Sequence, residues 1–367
     1  MLVVALQNLV AYSVNMLDNI MLGSYSQNAL SGAATVNQIF FIVNQLALSI
    51  GNALVAICSQ YWGKQETGAI RKMTGVALAL SVLIGAIVVT ACTCIPEQLL
   101  RIFTTSPEII AEGKAYLGLL KWTFLLFMIS NLLIAMLRSV ETVKISFVIS
   151  VVSLITNGCI NYTLIFGHFG FPQLGVSGAA IGTVVSRVIE MSINIIGGSR
   201  NLYLKDAIKM KKVPFDTTKE MLKRGLPLLC NEILWSISIA LISQSYSTRG
   251  LVAVAAINIT TTVTNFFMIV CYAMGNSISI VVGQQLGAGE IERAKDYDLK
   301  MVFMNFIMCF TLAVVLFNVS IYIPQIYNTS VEVKNLATSL LKVAACMLPV
   351  ISVYYSSYFT MRAGGKT

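Results

Sequence analysis

Long apolar runs, separated by short polar segments, recur along the whole chain. An α-helix rises about 1.5 Å per residue and a bilayer's hydrocarbon core is about 30 Å thick, so a membrane span needs about 20 apolar residues. On that rule the pattern predicts ten membrane helices, at residues 2–22, 29–57, 74–95, 115–137, 145–167, 175–197, 226–247, 251–282, 300–323 and 336–360. The first run is read as a span and not as a cleaved leader. It lacks a basic start and carries Asn8, Asn15 and Asp18 in its body.

The polar breaks are charged unequally. With the N-terminus inside, eighteen lysines and arginines fall on the cytoplasmic side and six on the other, leaving Arg187 inside the sixth span. That excess predicts a multi-pass protein of the cell (plasma or inner) membrane with both ends of this chain cytoplasmic. Residues 199–225 are the one long polar break. They are basic, contain Pro214 and predict a cytoplasmic linker with a short amphipathic helix near 216–224.

Composition agrees with the pattern. The 367 residues are 56% hydrophobic and only 11% charged, against about 25% charged in soluble domains. A cytosolic enzyme, a nucleic-acid binder and a disordered chain are excluded on that ground. The net charge of +9 then reads as a topology signal. Eight cysteines lie mostly in apolar runs and the single histidine is His168, so neither a disulfide framework nor a Cys/His metal centre is expected. The closing Gly-Gly-Lys-Thr lacks the earlier glycine of a phosphate loop, because Thr360 stands there.

An internal repeat organises the chain. At a constant offset of 224, Gln60 falls on Gln284, Gly63 on Gly287, Arg138 on Arg362 and the stretch 29–34 on 253–258. Six spans separate equivalent points, so the halves share one orientation, with a pseudo-two-fold axis along the membrane normal. The predicted domains are an N-lobe over 1–198, the linker over 199–225 and a C-lobe over 226–367. The first half runs about two helices beyond Arg138. The repeat therefore predicts a twelve-helix protein ending near residue 422, with the last two helices beyond this chain.

Almost all acids lie in loops; Asp18 and Glu232 lie within spans, with Glu190 nearer a helix end. A carboxylate there costs several kcal/mol unless protonated, paired or hydrated, and so marks a candidate site. Asp18 is 16 residues into a helix entering from inside, about 24 Å deep. Asn161 is at the same depth in span five, Asn157 is one turn below it on the same face, and Asn37 in span two comes near Asn157. A carboxylate ringed by amide oxygens suits a proton or a small hard cation such as sodium. Glu232, its repeat mate Asn8, and Gln38 form the expected substrate-cavity set. Arg187 and Glu190, three apart, predict an ion pair.

The stretches MLDNIMLG (16–23), NQIFFI (37–42), SQYWGK (59–64), LRSVETVK (137–144), NYTLIFGHFGFPQLGVSGAAIGTVVSR (161–187), GLPLLCNEILW (225–235) and GQQLGAGE (283–290) together resemble the multidrug and toxic compound extrusion (MATE) family over essentially the whole chain. The resemblance implies an all-α polytopic fold of two six-helix lobes around a central cavity. It also implies export of amphipathic, mostly cationic organic compounds in exchange for protons or sodium. The Asp18 cluster lies where the family's N-lobe cation or proton site lies. The chain departs from the family at three places: no proline near Val3, no glycine in the loop RSVETVK, and no acid in span ten. Asn161 stands where many members carry aspartate, which leaves one carboxylate and tilts the reading toward protons. No cofactor beyond the coupling ion, no enzymatic activity and no nucleic-acid partner are expected. The expected partners of this monomer are organic cations and the lipid bilayer. The alternative is a lipid-linked precursor flippase, which should place cavity-facing Lys or Arg within its spans. Here the deep charges are acidic.

Overall fold

The computed structural model describes residues 2–25, 27–104, 106–199, 215–327 and 329–365. Helices α1 (Leu2–Tyr25), α2 (Gln27–Gly63), α3 (Thr67–Cys94), α4 (Pro96–Arg101), α5 (Pro107–Ser139), α6 (Val143–Phe166) and α7 (Val176–Ser199) come first. They are followed by α8 (Phe215–Ser247), α9 (Leu251–Gly287), α10 (Ile291–Val319) and α11 (Val331–Ala363). Among the described residues there is no strand. Among the described residues nine helices, α2, α3 and α5 to α11, are long and apolar enough to cross a membrane. The protein is an all-α polytopic membrane protein.

Each long predicted span is found as a helix, and most are longer than predicted. Span two, expected over 29–57, is the 37-residue α2. Span nine, expected over 300–323, is α10, which starts at Ile291 and stops at Val319. Hydropathy marks where a helix meets hydrocarbon. The helix itself continues through polar turns into water, and 37 residues rise about 55 Å, well beyond the core of a bilayer. The short α4 is not visible as a period in the sequence. The predicted linker is only partly observed: Arg200, Lys205, Lys209, Lys211, Lys212 and Pro214 lie outside the described residues. The amphipathic helix expected near 216–224 is not separate. It is the first part of α8 and runs on unbroken into span seven.

Packing divides the chain into two compact units, residues 6–229 and residues 230–367 with 1–5. In the first, α2 lies along α5, and α7 packs on both α5 and α6. Its core has one cluster around Leu22, Val36, Leu117, Phe124 and Ile165, and a second around Leu54, Ile70, Met136 and Leu137. The second cluster takes in Met221 and Leu228 from the start of α8. Tyr61 donates to Glu220 at 3.4 Å and Arg224 donates to Gln60 at 3.4 Å, fixing that start to the end of α2. In the second unit α9 lies along α11, with α10 on both.

The 224-residue offset holds at the level of the backbone. Helices α2, α3 and α5 start at residues 27, 67 and 107; α9, α10 and α11 start at 251, 291 and 331. The turn after α2 closes with Glu66 N–H donating to the Tyr61 carbonyl, and the turn after α9 with Glu290 N–H donating to that of Gln285. Even the left-handed positions correspond: Gln65 (φ 61°) with Gly289 (φ 79°), and Glu141 (φ 61°) with Gly365 (φ 77°). Glu141 thus stands at the glycine that RSVETVK lacks, in the conformation a glycine would favour. A side chain there costs about 1–2 kcal/mol, partly offset by the lower entropy of a non-glycine chain when unfolded. Gln65→Gly and Glu141→Gly are each expected to stabilise the protein by about 0.5–1 kcal/mol. A rise in melting temperature in detergent checks this, and a fall for both would show these turns unstrained.

Candidate functional site

Asp18 sits late in α1 and is 9% exposed. Asn157 and Asn161, one turn apart on α6, are both fully buried. Asn161 Nδ2 donates to Asp18 Oδ1 and, at 3.3 Å, to Asn157 Oδ1. Asn157 also reaches the Asp18 carboxylate by a side-chain hydrogen bond. It donates to Thr183 Oγ1 at 3.5 Å. The depth arithmetic that placed Asp18, Asn161 and Asn157 together is thus matched by contacts. It does not extend to α2: Asn37 is half-buried and hydrogen-bonds to none of the three, and its neighbour Gln38 is exposed. Helix α2 turns its fully buried Ala33 and Val36 inward instead.

Three further residues complete the cluster. Thr183 on α7 accepts from Asn157 and donates to the Ala179 carbonyl at 3.1 Å. Tyr116 on α5, 3% exposed, is hydrogen-bonded to Thr183 and close enough to feel the charge of Asp18. Arg187 bears on Asp18 electrostatically, pairs with Glu190 at 2.6 Å and lies 5.0 Å from the Phe127 ring centroid. The ion pair predicted from spacing is present. Its arginine acts on the Asp18 carboxylate, an interaction that spacing alone does not reveal.

Close packing makes the site possible. Helix α7 meets α6 at Gly182, where any Cβ would overlap Asn161 Oδ1. Asn161 Oδ1 is buried with no hydrogen-bond donor. A buried acceptor without a donor is uncommon and costs about 1–3 kcal/mol. That oxygen faces Gly182 on α7, while the amide nitrogen faces the Asp18 carboxylate and Asn157 Oδ1, so the cluster as a whole is rich in acceptor oxygens.

Glu232 belongs to the second unit. It is half-buried and acts electrostatically on Arg362 and Tyr355. Arg362, 4% exposed, donates to the Tyr358 hydroxyl at 3.2 Å and stacks on the Tyr358 and Phe359 rings. That hydroxyl also accepts from Asn231 at 3.1 Å. The first unit repeats the theme at the same offset, with Arg138 donating to Gln7 at 2.9 Å. Asn8, the repeat mate of Glu232, has its side chain outside the described residues.

Comparison with known proteins agrees with the internal repeat. The family model described as MatE matches residues 4–163 and again residues 227–367. A probable multidrug resistance protein NorM of Thermotoga maritima is 22% identical over 98% of this chain and 78% of its own length. A probable multidrug resistance protein YoeA of Bacillus subtilis is 24% identical over 92% of this chain and 74% of its own. Among solved structures, an outward-facing multidrug resistance MATE family transporter of the MOP superfamily superposes with a TM-score of 0.91 at 16% identity, over all of this chain and 81% of its own. A MOP superfamily transporter from Pyrococcus furiosus gives 0.87 at 17% identity with the same coverage.

Proposed function

The chain belongs to the MatE family, and from that premise we propose that it is a multidrug efflux transporter of the cell membrane. In this reading it works as a secondary active antiporter, exporting amphipathic organic cations against inward flow of protons or sodium by alternating access. The names of its relatives support drug export. The observation that carries the coupling role is the buried Asp18–Asn161–Asn157 cluster with its donor-less amide oxygen.

The physics of coupling is direct. An ionised carboxylate in a buried site costs several kcal/mol, so the empty state favours a geometry that hydrates it. A proton or cation cancels the charge and permits closure. Asp18, Asn161 and Thr183 lie on three helices, α1, α6 and α7, so neutralising one carboxylate shifts the balance of forces among all three. Glu232 serves as an attraction point for a positively charged substrate; its neighbour Arg362 limits how strongly that carboxylate binds.

The test uses proteoliposomes loaded with a fluorescent organic cation and an imposed gradient of pH or of sodium. Export driven by a pH gradient and indifferent to sodium supports proton coupling. Export driven only by sodium moves the coupling ion to sodium, and export indifferent to both overturns antiport. Glu232→Gln is expected to weaken apparent affinity for organic cations by about three- to tenfold, as loss of one screened charge contact predicts, with smaller effects on a neutral substrate.

A further inference from the structure

Helices α6 and α7 run antiparallel in register: Gly178 meets Leu164 and Ile165, and Gly182 meets Ile160 and Asn161. Continued down the pair, this register sets Glu190 opposite Val152 and Ser153 and Asn194 opposite Val148 and Ile149. The side chains along that seam are polar on both helices. Helix α6 presents Asn161, Asn157, Ser153, Ser150 and Ser146 at helical spacing, and α7 presents Thr183, Ser186, Glu190 and Asn194. All but Ser150 and Thr183 are buried.

A buried polar seam could be mere packing with small residues. Two groups at its lower end argue against that. Asn194 is fully buried and neither its amide oxygen nor its amide nitrogen has a partner, and Ser146 Oγ is fully buried and unpartnered as well. Buried polar atoms in native proteins are paired, by protein or by ordered water, and an amide bare on both sides is rare. Ser186 and Ser150 donate to carbonyls of their own helices, which leaves their oxygens free to accept. The seam runs from Asn161 to Ser146, fifteen residues or about 22 Å, and ends three residues inside the start of α6.

We propose that this seam is a hydrated proton path that connects Asp18 to the face of the membrane carrying the basic loops. It rests on the reading of Asp18 as the coupling carboxylate. In the release step the O–H bond of protonated Asp18 breaks, the electron pair stays on the carboxylate, and the proton passes to water held by the seam. Relay groups of this kind, carboxylates and hydroxyls facing a wet interior, are the recognised means of moving protons through membrane proteins. The groups facing the path are Asp18, Glu190 paired with Arg187, and Tyr116; the ion pair is neutral overall and does not repel a proton as a lone arginine would.

The experiment compares Asn194→Leu, Asn194→Ser and Ser146→Val with wild type and Asp18→Asn in proteoliposomes, alongside substrate binding and melting temperature in detergent. Asn194→Leu and Ser146→Val are expected to slow pH-driven export at least tenfold. Substrate affinity stays unchanged, and melting temperature holds or rises because a bare amide has been replaced by an apolar group. Asn194→Ser keeps most of the rate. Wild-type export rates in both Asn194→Leu and Ser146→Val, with Asp18→Asn inactive, overturn the path and leave the coupling reading standing. A clear fall in melting temperature in both marks the seam as structural and also overturns it. Normal pH-driven export in Asp18→Asn removes the coupling reading itself.

Discussion

Asp18→Asn is expected to abolish accumulation against a gradient while leaving the protein folded. The amide is nearly isosteric with the carboxyl and keeps an oxygen to accept from Asn161. The helices it joins should therefore stay in place. What is lost is the one carboxylate hydrogen-bonded to Asn161 and Asn157, the group that takes up and releases the coupling ion in this reading. Exchange of one proton for one singly charged substrate is electroneutral, so each unit of pH difference supplies about 1.4 kcal/mol per proton charge carried inward, a roughly tenfold accumulation ratio. Without a group to carry that charge the ratio falls to one, although substrate can still equilibrate down its own gradient. The measurement is steady-state accumulation in proteoliposomes with a fixed gradient. Accumulation retained by Asp18→Asn would remove this carboxylate from the mechanism.

Gly182→Ala is expected to be as damaging by a different route. The added methyl would overlap Asn161 Oδ1, so either the amide rotates or α7 moves off α6. Rotation breaks the bonds from Asn161 to Asp18 and Asn157; movement opens the interface that also relies on Gly178, where a Cβ would meet the Leu164 carbonyl at 2.7 Å. Overpacking and the loss of buried hydrogen bonds together predict a destabilisation of about 2–4 kcal/mol. Gly118→Ala is the control. It lies in α5 with nothing within 4 Å of its would-be Cβ, and exchange of a helical glycine for alanine there should gain up to about 1 kcal/mol. Thermal melting of both variants in the same detergent checks the pair. Equal melting temperatures would mean that α6 and α7 can separate without cost.

The site was partly legible in the sequence because depth along a span is arithmetic. Counting residues from the membrane face placed Asp18 and Asn161 at one level with Asn157 one turn below, and an acid beside amides is conspicuous in an apolar chain. Level does not give azimuth. Asn37 satisfies the same count, yet α2 presents Ala33 and Val36 inward and leaves Asn37 outside the hydrogen-bonded group. Thr183 and Tyr116 carried no signal of their own, since one threonine or tyrosine in a span is unremarkable. Their meaning comes from α5 and α7 packing against α6, which is tertiary information. The absent glycine of RSVETVK was readable as an irregularity, but only the backbone shows that Glu141 nonetheless adopts the left-handed turn. Helix ends were least legible, because hydropathy reports the thickness of hydrocarbon and the helices outrun it.

The bond between Asp18 and Asn161 joins residues 143 apart in the chain. During synthesis at about 5–20 residues per second, α1 reaches the bilayer about 7–30 s before Asn161 exists. Many hydroxyls on other helices suffer no such delay. Ser49, Thr74 and Thr93 each donate to a carbonyl of their own helix four residues back and are satisfied as soon as that turn forms. Asp18 has no such local outlet, and a carboxylate mid-helix raises the cost of leaving the translocon by about 2.5–3.5 kcal/mol. The residue that gives the site its chemistry therefore also sets a timing demand on biogenesis: the first helix must be held at the translocon, or enter the bilayer protonated, until the sixth arrives to receive it.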